Sequence, residues 1–299
     1  MSQFEYITLN NNLKIPPIGF GSYCLDNPKE NTLFALNKGF RLIDTASRYG
    51  CEKEVGEAIS EFLSKNSNIK REDLFVVTKL WITDFKDPVG ALKESLKRLN
   101  LTYVDSYLVH QPYGPVVDGK FEKKEPLYNI WKGMEKCVEL GLTKSIGVSN
   151  FNSQILMDLC SYAKILPVLN QVEMHPWLQQ KGLINNMKML NNIVIMAFYP
   201  YCIGKRGVKK DEKYNLLKNE VILSISKKYN RKPIQVILNW HMNKKVIPLT
   251  KSSNFEHIAD NFDVQFKMDD EDYKKIDELD LKNEYRINNF YGNDWDNFA

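Results

Sequence analysis

RLIDTASRYG, residues 41–50, is a short apolar run that ends on a carboxylate and breaks at once into a polar loop. The same shape recurs in LFVVTKL (74–80), VDSYLVHQP (104–112), KSIGVSNF (144–151), VLNQVEMHP (168–176), IVIMAFYP (193–200) and VIPLTKSSN (246–254). These runs predict strands over Leu42–Asp44, Phe75–Thr78, Val104–Val109, Ser145–Val148, Val168–Val172, Ile193–Phe198 and Val246–Pro248, with a weaker first strand at Ile18–Gly21. Several are apolar on both alternating faces, as a strand covered on both sides must be.

The segments between them are amphipathic. In Pro88–Leu99, the residues Val89, Leu92, Leu96 and Leu99 share one helical face, with Lys93, Glu94, Lys97 and Arg98 opposite. Asp87 before Pro88 supplies a cap and a first-turn proline; Asn27-Pro28 opens an earlier helix in the same way, and Gly39 closes it. Further helices are expected over Glu52–Leu63, Leu127–Leu140, Ser153–Ala163, Gly182–Leu190 and Leu216–Tyr229. Strand–helix alternation implies a parallel sheet, because each crossover packs a helix back on it. An open doubly wound sheet has about five or six strands. Eight strands favour an α/β fold of the (β/α)8 TIM-barrel type. No linker rich in Pro, Gly or Ser divides the chain, so residues 1–299 are read as one domain. A hairpin turning at Asn10–Asn12 precedes the repeat, and a polar, aromatic C-terminal tail from Asn283 to Ala299 is expected over the barrel mouth.

Composition narrows the classes further. Of the 299 residues, 43% are hydrophobic and 26% charged, which excludes disorder, collagen and coiled coil. Folding a chain of this size buries about 75% of its unfolded surface, so it needs no staple. The 41 basic residues balance 37 acidic ones to a net charge of +4 without a dominant block, which gives no nucleic-acid footprint. Five cysteines, an odd number without CxxC spacing, suit reduced thiols better than disulfides or zinc. MSQFEYITLN lacks a basic region followed by an apolar run, and no stretch approaches the ~18 apolar residues that span a bilayer. A soluble, cytoplasmic protein is expected.

In such a barrel, chemistry collects at the C-terminal ends of the strands. Those ends carry Asp44 and then Tyr49, Lys79, His110, Ser149 and Asn150, Gln171 and Glu173, Phe198, and finally Lys251 and Ser252. Asp, Tyr, Lys and His around one mouth suit proton transfer to a carbonyl oxygen. A lysine ammonium stabilises phenolate, a carboxylate holds the ammonium, and a histidine donates a second hydrogen bond to the developing alkoxide. Each residue alone reads as rim, core or loop packing; the set on three successive strands reads as a site. No histidine pair among His110, His175, His241 and His257 has metal-site spacing.

Other signals are weaker. GPVVDGKF (114–121) approaches a phosphate-binding loop but has Phe121 where Ser or Thr would hold Mg²⁺. GFGS at Gly19 is too short for a dinucleotide fingerprint, and KRGVKK (205–210) reads as a solvated loop. Tyr23, Trp81, Tyr113, Tyr291 and Trp295 read equally as scattered packing or as pocket lining.

In this order and spacing, LIDTASRYG, VTKLW, YLVHQP, KSIGVSNF and NQVEMHP resemble the aldo-keto reductase superfamily, close to its aldose/xylose reductase-like and fungal ketoreductase-like branch. The resemblance runs from NNNLKIPPIGFGSY (10–23) to VIPLTKSSNFEHIADNF (246–262). It implies an NADP-dependent oxidoreductase that reduces aldehydes or ketones, with NADPH/NADP+ bound in extended form and NADH used more weakly. By that resemblance Tyr49 is the general acid, Lys79 and Asp44 tune it, and His110 orients the carbonyl. Ser149, Asn150 and Gln171 would hold the nicotinamide carboxamide, and Phe198 stands where the family usually stacks a tyrosine on the ring. Lys251, Ser252 and Asn254 would meet the 2′-phosphate, with Asp260 and Asn261 near the adenine. The expected partner is a small-molecule carbonyl substrate, met by Tyr23, Arg48, Trp81 and Gln111. No nucleic acid or membrane is expected, and the family suggests a monomer.

The chain departs from the family at three positions. His257 stands where an arginine commonly meets the 2′-phosphate, Gln111 replaces a frequent tryptophan, and Arg48 occupies a position that is often small or apolar. A guanidinium at the mouth would match a carboxylate or other planar acceptor bidentately; turned outward, it would pair with an acid such as Glu52. Two other functions fit the same fold. A regulatory cofactor-binding subunit would not need the intact tetrad. A Schiff-base enzyme would want Lys79 desolvated and neutral, whereas Asp44 nearby would keep it charged.

Overall fold

The computed structural model describes residues 4–114, 116–117, 120–121, 125–202, 215–281 and 285–287. An antiparallel hairpin comes first: Ile7–Thr8 (β1) pairs with Lys14–Ile15 (β2), Ile7 opposite Ile15. Asn12 makes its turn at a positive φ of 69°, a conformation that asparagine tolerates better than most residues. Leu9 and Ile15 are buried with Leu42, Phe75, Val168 and Ile247, residues at the starts of barrel strands, so the hairpin stoppers the end remote from the mouth.

Gly19–Gly21 (β3), Leu42–Asp44 (β4), Phe75–Leu80 (β5) and Ser106–Val109 (β6) form the first half of the barrel. A small hairpin, Val116–Val117 (β7) and Lys120–Phe121 (β8), follows at the mouth end. Ile146–Ser149 (β9), Leu169–Glu173 (β10), Val194–Phe198 (β11) and Ile247–Thr250 (β12) complete the circle, and every neighbouring pair in it is parallel. Closure is made where β12 pairs with β3, Leu249 opposite Gly19 and Thr250 opposite Phe20.

Among the described residues ten helices accompany the strands: Pro28–Lys38 (α1), Glu52–Lys65 (α2), Pro88–Leu99 (α3), Leu127–Glu139 (α4), Ser153–Tyr162 (α5), Lys181–Met189 (α6), Glu220–Tyr229 (α7), Pro233–Asn243 (α8), Phe255–Phe262 (α9) and Asp270–Asp277 (α10). Asp87 caps α3 by accepting from Gly90 N at 2.8 Å. Gly39 ends α1 at φ 119°, a conformation open to glycine and costly for a side chain. Gly56 lets α2 approach α3 closely, since a Cβ there would lie 2.3 Å from the Leu99 carbonyl oxygen. The main core lies between sheet and helices, around Phe20, Leu36, Phe40, Trp131 and Trp240.

The structure differs from the sequence reading in places. The segment 216–229 is not one helix: Leu216–Lys218 forms a single 3-10 turn, and Asn219 caps α7 by accepting from Val221 N and Ile222 N. Helices α8, α9 and α10 are additional. The basic run at 205–210 and most of the tail from 283 lie outside the described residues. Among the described residues, no helix is long and apolar enough to cross a membrane.

Candidate active site

Register brings the strand-end groups together. Asp44 lies opposite Val77 on β5, Lys79 opposite Leu108 on β6, and Gln171 opposite Ser149 on β9. After β4 the chain makes a 3-10 turn, Ser47–Tyr49, tied down by a Ser47 Oγ bond to the Lys79 carbonyl at 3.1 Å, and this turn presents Tyr49 to the mouth.

Lys79 is fully buried, and its Nζ donates to Asp44 Oδ2 at 2.8 Å, Thr45 O at 2.8 Å and Tyr49 Oη at 3.1 Å. Three acceptors match the three donors of an ammonium. Burial lowers the Lys79 pKa from its ordinary value, and Asp44 opposes that fall. Asp44 Oδ1 takes a further bond from Gln171 Nε2 at 2.8 Å, a link with no signal in the sequence. Lys79 lies behind the cavity wall with its donors occupied, which does not suit it to attack a substrate carbonyl.

Burial, and then the charge of Asp44, push the Tyr49 phenol well above its ordinary pKa. The ring keeps its proton until an acceptor arrives. His110 stands edge-on to Tyr49, ring centres 5.7 Å apart, and edge-on to Trp81 at 5.0 Å. Burial, then the positive charges of Lys79 and Arg48, hold the imidazole well below its ordinary pKa, so it is neutral. Its Nδ1 is buried without a hydrogen-bond partner among the described residues. Tyr23 completes the ring cluster, 4.9 Å from Tyr49.

These groups open onto a cavity of about 440 Å³. Tyr23, Asp44, Arg48, Tyr49, Trp81, His110, Ser149, Asn150, Gln171, Phe198 and Lys251 all line it. Tyr199 and Tyr201 line it too, and sequence reasoning missed both; the aromatic run FYPY (198–201), which begins on the last residue of β11, was their only signal. Tyr201 Oη donates to the Lys251 carbonyl at 3.0 Å. Glu173 faces elsewhere. It is buried against His175 at 3.2 Å and accepts from Ile287 N at 2.6 Å, which fixes the described part of the tail to the end of β10.

The remaining expected residues stand apart from the cavity wall. Gln111 is buried beside His110 in sequence, with neither amide atom partnered among the described residues. Ser252 lies on the loop after β12, and Asn254 caps α9 by accepting from His257 N at 3.0 Å. Asp260 pairs with Lys232 at 2.6 Å, and Asn261 is buried with its Oδ1 unpartnered among the described residues. Arg48 does not pair with Glu52, which is buried and accepts from Thr78 Oγ1 at 2.6 Å and Arg98 Nε at 2.8 Å.

The donor set fits a nicotinamide dinucleotide. Ser149, Asn150 and Gln171 group amide and hydroxyl chemistry on one wall, where Asn150 Nδ2 bonds Ser149 Oγ at 3.0 Å and the His110 carbonyl at 2.9 Å. The half-exposed Phe198 ring offers a stacking face for a planar heterocycle. Lys251 supplies a cation on the same cavity, and the buried Asn261 oxygen lacks a donor among the described residues.

Comparison with known proteins agrees with this geometry. The profile of the Aldo/keto reductase family matches residues 27–281. Aldo-keto reductase family 1 member A1-A of Danio rerio is 36% identical over 94% of this chain and 91% of its own length. The NAD(P)H-dependent D-xylose reductase of Pachysolen tannophilus is 38% identical over 92% of this chain and 93% of its own. The crystal structure of a Bombyx mori aldo-keto reductase in complex with NADP superposes with a TM-score of 0.87 at 32% identity, covering 96% of each chain. Motifs, barrel and site converge, and the chain belongs to the aldo/keto reductase family.

Proposed function

We propose that this protein is an NADPH-dependent reductase converting aldehydes or ketones to alcohols. The observation that carries the reading is the Lys79 ammonium 3.1 Å from the hydroxyl of Tyr49 in a mouth shared with a neutral His110. NADPH, when bound, supplies the hydride. Tyr49 gives its Oη proton to the carbonyl oxygen as that oxygen gains charge. Lys79 then stabilises the phenolate left behind, and Asp44 holds the ammonium in place. The neutral imidazole of His110 offers a hydrogen bond to the same oxygen and orients the carbonyl. Trp81 and Tyr23 flank the two rings and exclude water.

In the same reading, Ser149, Asn150 and Gln171 hold the carboxamide and Phe198 stacks on the nicotinamide. Lys251, Ser252, Asn254 and His257 meet the 2′-phosphate, with the buried Asn261 oxygen and the Lys232-paired Asp260 near the adenine. The chain acts as one catalytic domain and a cytoplasmic monomer; its five free thiols suit a reducing compartment. Consumption of NADPH against a panel of aldehydes, 2-oxo acids, ketoesters and sugars tests the activity. Turnover with at least one class is expected, and NADPH binding without any turnover would return the chain to a regulatory role.

A further inference from the structure

Arg48 brings a positive charge to the active-site mouth and meets no acid there among the described residues. Its Cζ lies 5.4 Å from the centre of the Trp81 ring, and that ring meets His110 edge-on at 5.0 Å. Arg48 lines the same cavity as Tyr49 and His110. The acids nearest to it in sequence are committed elsewhere. Asp44 is shared between Lys79 and Gln171, and Glu52 between Arg98 and Thr78. Among the described residues, Arg48 makes no ion pair. With Asp44 balancing Lys79, Arg48 brings the Tyr49 and His110 rings a guanidinium charge that no acid among the described residues balances, and Lys251 adds a second cation to the same cavity.

We propose that Arg48, propped on Trp81, anchors a carboxylate of the substrate, so that the preferred substrates are aldehydes or ketones bearing a carboxylate group. The inference rests on the reductase reading above and names its substrate class. A guanidinium set over a ring and making no hydrogen bond or ion pair among the described residues keeps its N–H edges free, and those edges match a carboxylate in two parallel bonds. The contact with Trp81 also restrains a long side chain in advance, which reduces the ordering cost on binding. A neutral aldehyde finds no partner for this charge. A carboxylate both pairs it and fixes the carbonyl relative to Tyr49 and His110.

Matched acids and methyl esters test the proposal: 4-carboxybenzaldehyde against methyl 4-formylbenzoate, and pyruvate against methyl pyruvate, with benzaldehyde as a neutral reference. The readout is the ratio of acid to ester kcat/KM in the wild type, in Arg48→Met and in Arg48→Lys. In at least one pair the wild type is expected to favour the acid by about 10–150-fold, the span of a charge-assisted hydrogen bond. The ratio falls to near one in Arg48→Met, through KM for the acid, and to an intermediate value in Arg48→Lys. The pair that responds reports whether the carboxylate sits beside the carbonyl or a ring's length away. A wild-type ratio near one in both pairs, or a preference that survives Arg48→Met, overturns the proposal while benzaldehyde turnover leaves the reductase reading standing. Absence of NADPH oxidation with all five compounds overturns both.

Discussion

The Lys79 ammonium and the Tyr49 hydroxyl lie 3.1 Å apart, and Asp44 fixes the ammonium from 2.8 Å. The contact pulls against the burial that raises the tyrosine pKa. It is worth little to a neutral phenol and much to the phenolate that forms once the proton has left. That difference is what a general acid needs, because it favours the transition state over the resting site.

Tyr49→Phe is therefore expected to bind NADPH normally and to lose carbonyl reduction by about 10²–10⁴-fold, the usual span of positioned proton transfer. Fluorescence titration reports the binding and steady-state kinetics the loss. Turnover above a tenth of wild type, with chemistry limiting, would remove Tyr49 from the acid's role.

Lys251 bonds the Tyr23 carbonyl at 3.1 Å and sits on the same cavity. Replacing it with methionine should narrow the NADPH-over-NADH preference by about 10–150-fold, the span of one charge-assisted bond to phosphate. His257→Arg should widen the preference, since a guanidinium adds a bidentate phosphate partner. Parallel kcat/KM measurements with the two cofactors decide the matter. An unchanged ratio in Lys251→Met would place the phosphate elsewhere.

Gln111 buries an amide whose two ends lack partners among the described residues. Exchanging it for leucine removes a desolvated polar group at similar volume and should stabilise the fold by about 1–2 kcal/mol. Thermal melts would then rise by roughly 2–4 °C. A fall in melting temperature would mean that the amide is satisfied in solution.

Acid should weaken the fold in a way traceable to His241. Burial lowers its pKa to about 3, although its Nε2 bonds the Pro200 carbonyl at 2.9 Å. The unfolded chain takes up a proton near pH 6.5 while the native ring does not, so stability is lost as pH falls from about 6.5 towards 3. One such group contributes a slope of up to about 1.4 kcal/mol per pH unit, and His110 acts in the same direction. Urea unfolding between pH 7 and pH 5 is expected to show this slope. His241→Gln, which keeps a donor for Pro200, should flatten it by about one proton. An identical slope in the variant would assign the acid sensitivity to other groups.

The barrel strands are legible because each is a compact apolar run ending in a polar group, and Asp44, Tyr49, Lys79 and His110 follow from those ends. Helix α8 is not legible in the same way. PIQVILNWHMN buries residues on nearly every face, from Gln235 to His241, so it lacks the apolar–polar contrast by which a helix is recognised. Helix α10 fails oppositely, since DEDYKKID is almost wholly polar. Within the site, the Gln171–Asp44 bond joins residues 127 positions apart and depends on barrel register. The direction taken by Arg48 was open as well, because it depends on whether Glu52 is already engaged. Only the packing of α2 against α3, which brings Arg98 to Glu52, decides that.

The closing pair β12–β3 sets a timetable for biosynthesis. Tyr23 and Lys251, which meet across it, are 228 residues apart in the chain. At roughly 5–20 residues per second, a ribosome needs about 11–46 s to make the second after the first. Throughout that interval the nascent sheet carries an open edge at β3 and another at its newest strand, surfaces that invite pairing with other chains. The half of the mouth made first has no partner on which to assemble, so the cofactor cannot guide the fold during translation. Loading must wait until β12 has closed the barrel, and protection of the growing edges until then falls to whatever meets the chain as it leaves the ribosome.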